Sequence, residues 1–168
     1  MKAIPSTFTA LLLLGGCAGL KGFQPATPDA YDGATVNVAD HVVQVNADLV
    51  QVFEMTYIDE RRLLSTSIAT LQANQGRGFS TPPAALSNEV PTQPARVRLQ
   101  AVTQYAAPLL ALKNPTCRSS GDVDFTPEAG RRYVVRGRIA ADACEAWIED
   151  AASGRHVTAT VSGPGTGR

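Results

Sequence analysis

RRYVVRGRIAADACEAWIEDAASGRHVTATV, residues 131–161, decides the fold class. Tyr133, Val135, Gly137 and Ile139 alternate with Val134, Arg136, Arg138 and Ala140, and Cys144, Ala146 and Ile148 then share a face. Successive side chains of a strand point to opposite faces, so this period of two predicts paired strands with one apolar side each. Asp150 to Arg155, with Ser153-Gly154 inside it, supplies the turn into Val157, Ala159 and Val161. Glu145, Trp147 and Glu149 fall on the outward face. Trp147 is there a binding candidate, as an aromatic contact point or as a ring packed under a loop.

The same grammar extends outward. Val97, Leu99 and Ala101 alternate with Arg98 and Gln100, and Val123 and Phe125 mark a short strand closed by Pro127 and Gly130. Thr35–Val38 and Val42–Val45 are β-branched runs with a turn or bulge at Asp40-His41. Leu49–Ile58 is rich in strand formers. Gln51, Phe53, Met55 and Tyr57 lie on one face and Val50, Val52, Glu54 and Thr56 on the other, and since neither face is purely polar, both are expected to be partly buried. Asp59 to Arg62 reads as a polar hairpin turn, and Ser65–Ala73 admits a short helix. Ala106–Leu112, interrupted by Pro108, is expected as an edge strand. Asn74–Pro94 is punctuated by Gly76, Gly78 and four prolines and is expected to be irregular. Within it, Arg77 between two glycines and the nearby Phe79 form a second binding candidate, beside the plainer reading of an exposed connector.

Sustained helical periodicity is scarce, so the fold class is all-β, an antiparallel sandwich of about seven or eight short strands. The fourteen glycines and eleven prolines sit between apolar runs as turn punctuation, not as a repeat. From Phe125 to Val157 the succession of strands and turns resembles small immunoglobulin-like or transthyretin-like sandwich domains of bacterial lipoproteins. That resemblance implies a fold and carries no catalytic residue.

At the other end, Lys2 precedes an apolar run from Ala3 to Leu14, too short to span as a helix but suited to a signal peptide. Leu14-Gly15-Gly16-Cys17 resembles the lipobox of bacterial lipoproteins. The resemblance implies cleavage before Cys17, acylation of that residue, and attachment through lipid instead of a spanning helix. No apolar run approaches the roughly 18 residues a spanning helix needs. Ala18 after the cysteine implies an outer-membrane, periplasm-facing location in a Gram-negative cell. The expected organisation is therefore a leader at 1–16, a lipidated flexible tether at 17–30, a sandwich at 31–162 and a frayed tail at 163–168.

With Cys17 taken by lipid, Cys117 and Cys144 remain as a disulfide pair that an oxidising compartment permits; reduced thiols or a metal site are the rivals. Metal is disfavoured because His41 and His156 are isolated and no CxxC or HxxxH spacing occurs. Fifteen basic and fifteen acidic residues balance, which argues against nucleic acid as a partner. No nucleophile elbow, phosphate loop or zinc-protease helix is present, so no catalytic residue, metal or cofactor is assigned. The expected function is binding or scaffolding in the envelope, with the membrane and an envelope protein as partners. The alternatives are an inhibitor acting through the 74–94 loop and a hydrolase using His41 or His156 as base.

Overall fold

The computed structural model describes residues 22–76 and 82–166. Its strands are β1 (Thr35–Ala39), β2 (His41–Asn46), β3 (Leu49–Ile58), β4 (Arg61–Arg62), β5 (Ser87–Pro91), β6 (Ala95–Tyr105), β7 (Arg118–Phe125), β8 (Arg132–Ile139), β9 (Cys144–Asp150) and β10 (Val161–Gly163). Two short helices, α1 (Thr66–Ala73) and α2 (Pro108–Lys113), are the other elements among the described residues. The strands form two packed five-stranded sheets. The first runs β10-β9-β8-β1-β5; the second runs β2-β3-β6-β7, with β4 added to β3.

The alternating residues of 131–161 form β8 and β9 as read, with Tyr133, Val135, Cys144, Ala146 and Ile148 buried. They meet Phe53, Met55, Leu99 and Ala101 from the second sheet in one apolar core. Gly137 is required at that contact. A Cβ there would overlap the ring of Phe53 and the carbonyl of Glu145.

Between β1 and β2 the chain crosses from one sheet to the other at a single residue, Asp40, whose N–H donates to the carbonyl of Leu86 (2.9 Å). The Asp40-His41 break is thus a sheet switch and not a turn within one sheet. β3 is the central strand of the second sheet and is covered on both sides. Phe53 and Met55 face the core, while Val50 and Val52 form a second cluster with Val102 on the outer face.

Cys117, just before β7, and Cys144, opening β9, are joined by a disulfide with Cα atoms 5.8 Å apart. The bond ties the second sheet to the first. Both cysteines are buried. In the chain-entropy picture, closing a loop of 27 residues' separation restricts the unfolded chain by about 3.5 kcal/mol.

Several expectations are corrected. The first sheet is mixed, not antiparallel, because β1 and β8 pair in parallel with Val38 opposite Tyr133. Side-chain alternation is the same in either direction, so the pattern could not have fixed it. The strands among the described residues number ten, not seven or eight, since β4, β5 and β10 are short pieces recruited by neighbours. β5 lies inside the stretch expected to be irregular, pairing with β1 over five residues. Ala106–Leu112 is not an edge strand: Pro108 opens α2, where its fixed φ and missing N–H suit the first turn. Val157 and Ala159 lie outside β10, and only an isolated bridge between Glu149 and His156 precedes it.

Residues 24–26, within the stretch expected as a tether, are bonded to the body. The Gln24 N–H donates to the Arg62 carbonyl (2.8 Å), Ala26 is 3% exposed within the core, and Arg61 Nη2 donates to the Ala26 carbonyl (2.7 Å). At the other end Gly163 belongs to β10 and the Thr166 N–H donates to the Ala140 carbonyl (2.9 Å), so the expected tail is pinned at least to that point.

Candidate functional site

The outer face of the second sheet is where the sequence departs from simple alternation. Glu54 occupies an outward position of β3 yet is fully buried, because α1 lies over it. That helix begins without a side-chain cap from its own N-cap residue, Ser65. Its first turn contains N–H groups with no intrahelical acceptor. The Ser67 N–H donates to Glu54 Oε2 (2.7 Å) and the Ser67 hydroxyl to Oε1 (2.7 Å), so a carboxylate from the sheet supplies the missing cap. Gln100 Nε2 on β6 donates to the same Oε1 (2.9 Å).

A second carboxylate holds the same turn. Asp40, at the sheet switch, accepts from the Met55 N–H (3.0 Å) and the Thr66 hydroxyl (2.6 Å). Thr66 Oγ1 in turn accepts from the Leu86 N–H (3.0 Å) and Thr70 Oγ1 from the Ala84 N–H (3.1 Å), so the buried side of α1 is polar and fastens the segment leading to β5. Burial pushes the Asp40 carboxyl up to about 7, against the pull of its Thr66 and Met55 donors, with the charge of Glu54 adding to the rise. Burial also raises Glu54, opposed by Ser67, Arg118 and Gln100.

Between α1 and strands β6 and β7 runs a groove of about 400 Å³. Gln100, Val102 and Gln104 form its floor. Ser67, Ile68 and Leu71 form one wall and Arg118 and Ser120 the other, with Tyr57, Arg62 and Arg98 at one end. Three arginines line it and no carboxylate does. Arg98 is held by Asp122 through two hydrogen bonds (2.6 and 3.0 Å) and lies over the Tyr57 ring. Arg62 lies over Phe23, and Arg118 has neither an ion pair nor a side-chain hydrogen bond among the described residues. On that floor, the amide nitrogen and oxygen of the buried Gln104 both lack partners within the described structure.

Of the residues singled out from sequence, Trp147 lies on the outer face of the first sheet, half-buried. It stacks on His156 (centroids 4.4 Å apart) and donates to Glu149 Oε2 (3.3 Å). Glu149 pairs with Arg136 (3.2 Å), whose Nη1 is 2.7 Å from His41 Nε2, so this face brings together both histidines and the tryptophan. Partial burial and the neighbouring Arg136 lower the His41 pKa, with Glu149 opposing. Neither histidine hydrogen-bonds a serine, threonine or carboxylate among the described residues, which leaves a Ser-His-Asp relay without its geometry there. Cys17, Arg77 and Phe79 lie outside the described residues. No group of three or more metal-ligating side chains occurs among the described ones.

The groove escaped sequence reading because its parts come from α1, β3, β6 and β7. One signal was available: Glu54 is an acid amid strand-forming residues of a segment expected to be buried on both faces, and a buried acid needs donors. Comparison with protein-family models, curated proteins and solved structures gives no significant match for this chain, so its groove and its fold are read from its own residues alone.

Proposed function

We propose that this chain is an envelope lipoprotein, anchored through acylated Cys17 on the periplasmic side of the outer membrane, that acts by binding through the groove beneath α1. The observation that carries the binding reading is the groove's composition: three arginines set among apolar and neutral polar side chains with no lining carboxylate, in a chain of zero net charge. Ligand sites are concave and combine apolar walls with a few fixed polar groups, and volumes of roughly 300–1,000 Å³ are usual. Rigidity supports the same reading, because Glu54 and Asp40 fix the helix that walls the groove before any ligand arrives. The anchor rests on the lipobox resemblance at Leu14 to Cys17.

The anchor and the binding site are tested separately. Mass spectrometry of the mature N-terminus is expected to find an acylated Cys17, and Cys17→Ser is expected to leave an uncleaved product without acyl chains. An unmodified Cys17, or cleavage elsewhere, overturns the anchor. For the binding reading, cross-linking in intact envelopes through a photoreactive group at Ser120 is expected to capture a partner or ligand that the same group at Ser162, outside the groove, does not. Equal labelling at both positions overturns it.

A further inference from the structure

Six of the ten described arginines form ion pairs: Arg61, Arg96, Arg98, Arg131, Arg136 and Arg138. Two of the remaining four, Arg62 and Arg118, line the groove. Arg118 is directly opposite Val102 in the β6–β7 register. The acid nearest its side of the sheet, Glu54, is committed to Ser67 and Gln100 and offers it no hydrogen bond. A guanidinium presents a planar fork of donors that matches carboxylate or phosphate oxygens bidentately. Here that fork is exposed at the lip of a concavity and has no internal acceptor.

The opposite wall has a different character. Ile68 and Leu71, three apart on α1, present an apolar strip, and Leu71 is 55% exposed, among the most exposed large apolar residues described. Val102 continues that strip on the floor. The space is therefore two-sided, with the Arg118 guanidinium on β7 facing an apolar strip along α1. Nothing in the described chain fills it.

Resting on the reading of this groove as a binding site, we propose that its ligand is a small anionic amphiphile: a carboxylate or phosphate monoester joined to a short apolar chain. Arg118 receives the anion, Arg62 and the Asp122-held Arg98 supply further positive field at the tyrosine end, and the chain lies along Ile68, Leu71 and Val102. A neutral ligand of the same shape would forgo the charge-assisted bonds, and a bare anion would forgo the apolar contact.

The test uses the full oxidised chain in nanodiscs of neutral phospholipid, titrated separately with hexanoate, hexyl phosphate and hexanol and followed through the amide resonances of Ile68, Gln100 and Arg118. Ligands of this size bind in roughly the millimolar range. Saturable shifts are expected with at least one of the two anions, and the tighter one names the headgroup. Hexanol is expected to bind at least about ten-fold more weakly, and Arg118→Gln to weaken the anion by about ten-fold or more, with Arg118→Lys between the two. Because Arg118 is exposed, an unchanged spectrum away from the groove verifies that the variants fold. If hexanol binds as tightly as the anions, or Arg118→Gln leaves their affinity unchanged, the ligand class is wrong while groove binding survives. If none of the three produces a saturable shift, the ligand class is wrong, and the labelling at Ser120 against Ser162 decides groove binding by itself.

Discussion

Replacing Asp40 by Asn should remove a pH dependence that the wild-type protein has built into the crossing between its sheets. Asp40 is 6% exposed, and burial raises its carboxyl from an ordinary value of 3.8 to about 7. Where the folded state binds a proton more tightly than the unfolded chain, stability is full below the unfolded pKa. It then falls as pH rises and levels off above the folded pKa. The window is therefore about pH 4 to 7. At about 1.4 kcal/mol per pH unit, the ceiling on the loss is about 4 kcal/mol. Asn is nearly isosteric: its oxygen can still accept from the Met55 N–H, and its amide can turn a donor to Thr66 Oγ1. The assay is urea denaturation of the oxidised protein and of Asp40→Asn at pH 4.5 and pH 8. The quantity read is the stability difference between the two proteins, in which Asp122 and Asp150 largely cancel, while the Glu54 charge acts on Asp40 and is part of the same effect. That difference should move in favour of the variant by at least about 1 kcal/mol from the lower pH to the higher. A difference that stays constant, or moves the other way, refutes the argument that burial controls this carboxyl.

Cys117→Ser, or reduction, should lower the melting temperature by about 7–14 °C, from about 3.5 kcal/mol of loop restriction at about 2–4 °C per kcal/mol for a domain of this size. A scan showing no change would mean that the bond between the sheets restricts nothing. Gly137→Ala should destabilise by at least about 2 kcal/mol, because Phe53 and the Glu145 carbonyl occupy the space a methyl needs. Gly130→Ala, open in space but at φ +78°, should cost only about 1 kcal/mol. Chemical denaturation of the pair checks the order, and the reverse order would mean that the core yields at Phe53. Glu54→Gln should loosen the first turn of α1, seen as faster amide exchange at Ser67 while the β8 amides stay protected.

Much of the sheet structure was legible because alternation is a local signal. β3 coincides with Leu49–Ile58, and its mixed faces did foretell burial on both sides. The cysteine count pointed to the one disulfide found. Direction was not legible: β1 and β8 pair in parallel only after the chain has passed through the whole second sheet and returned. Ala106–Leu112 misled because Pro108 disfavours a strand interior and starts a helix equally well. The groove was hidden for another reason. Gln100 meets Glu54 across 46 residues of sequence, and only the register of β3, β6 and β7 sets Arg118 beside them.

The binding of residues 22–27 to the body also sets where force enters the molecule. A pull on this end is taken first by the Gln24 bond to Arg62 and the Arg61 bond to Ala26, both on β4, and by the Thr27 hydroxyl bond to the Glu89 carbonyl on β5 (2.5 Å). Those contacts reach one sheet through β4 and the other through β5, so tension is divided between the two layers from the outset. Downstream, the Cys117–Cys144 bond joins the same layers covalently and caps how far they can slide apart. Under stretching, the N-terminal clasp is expected to yield as an early, separate event, after which the sandwich extends only as far as the disulfide allows.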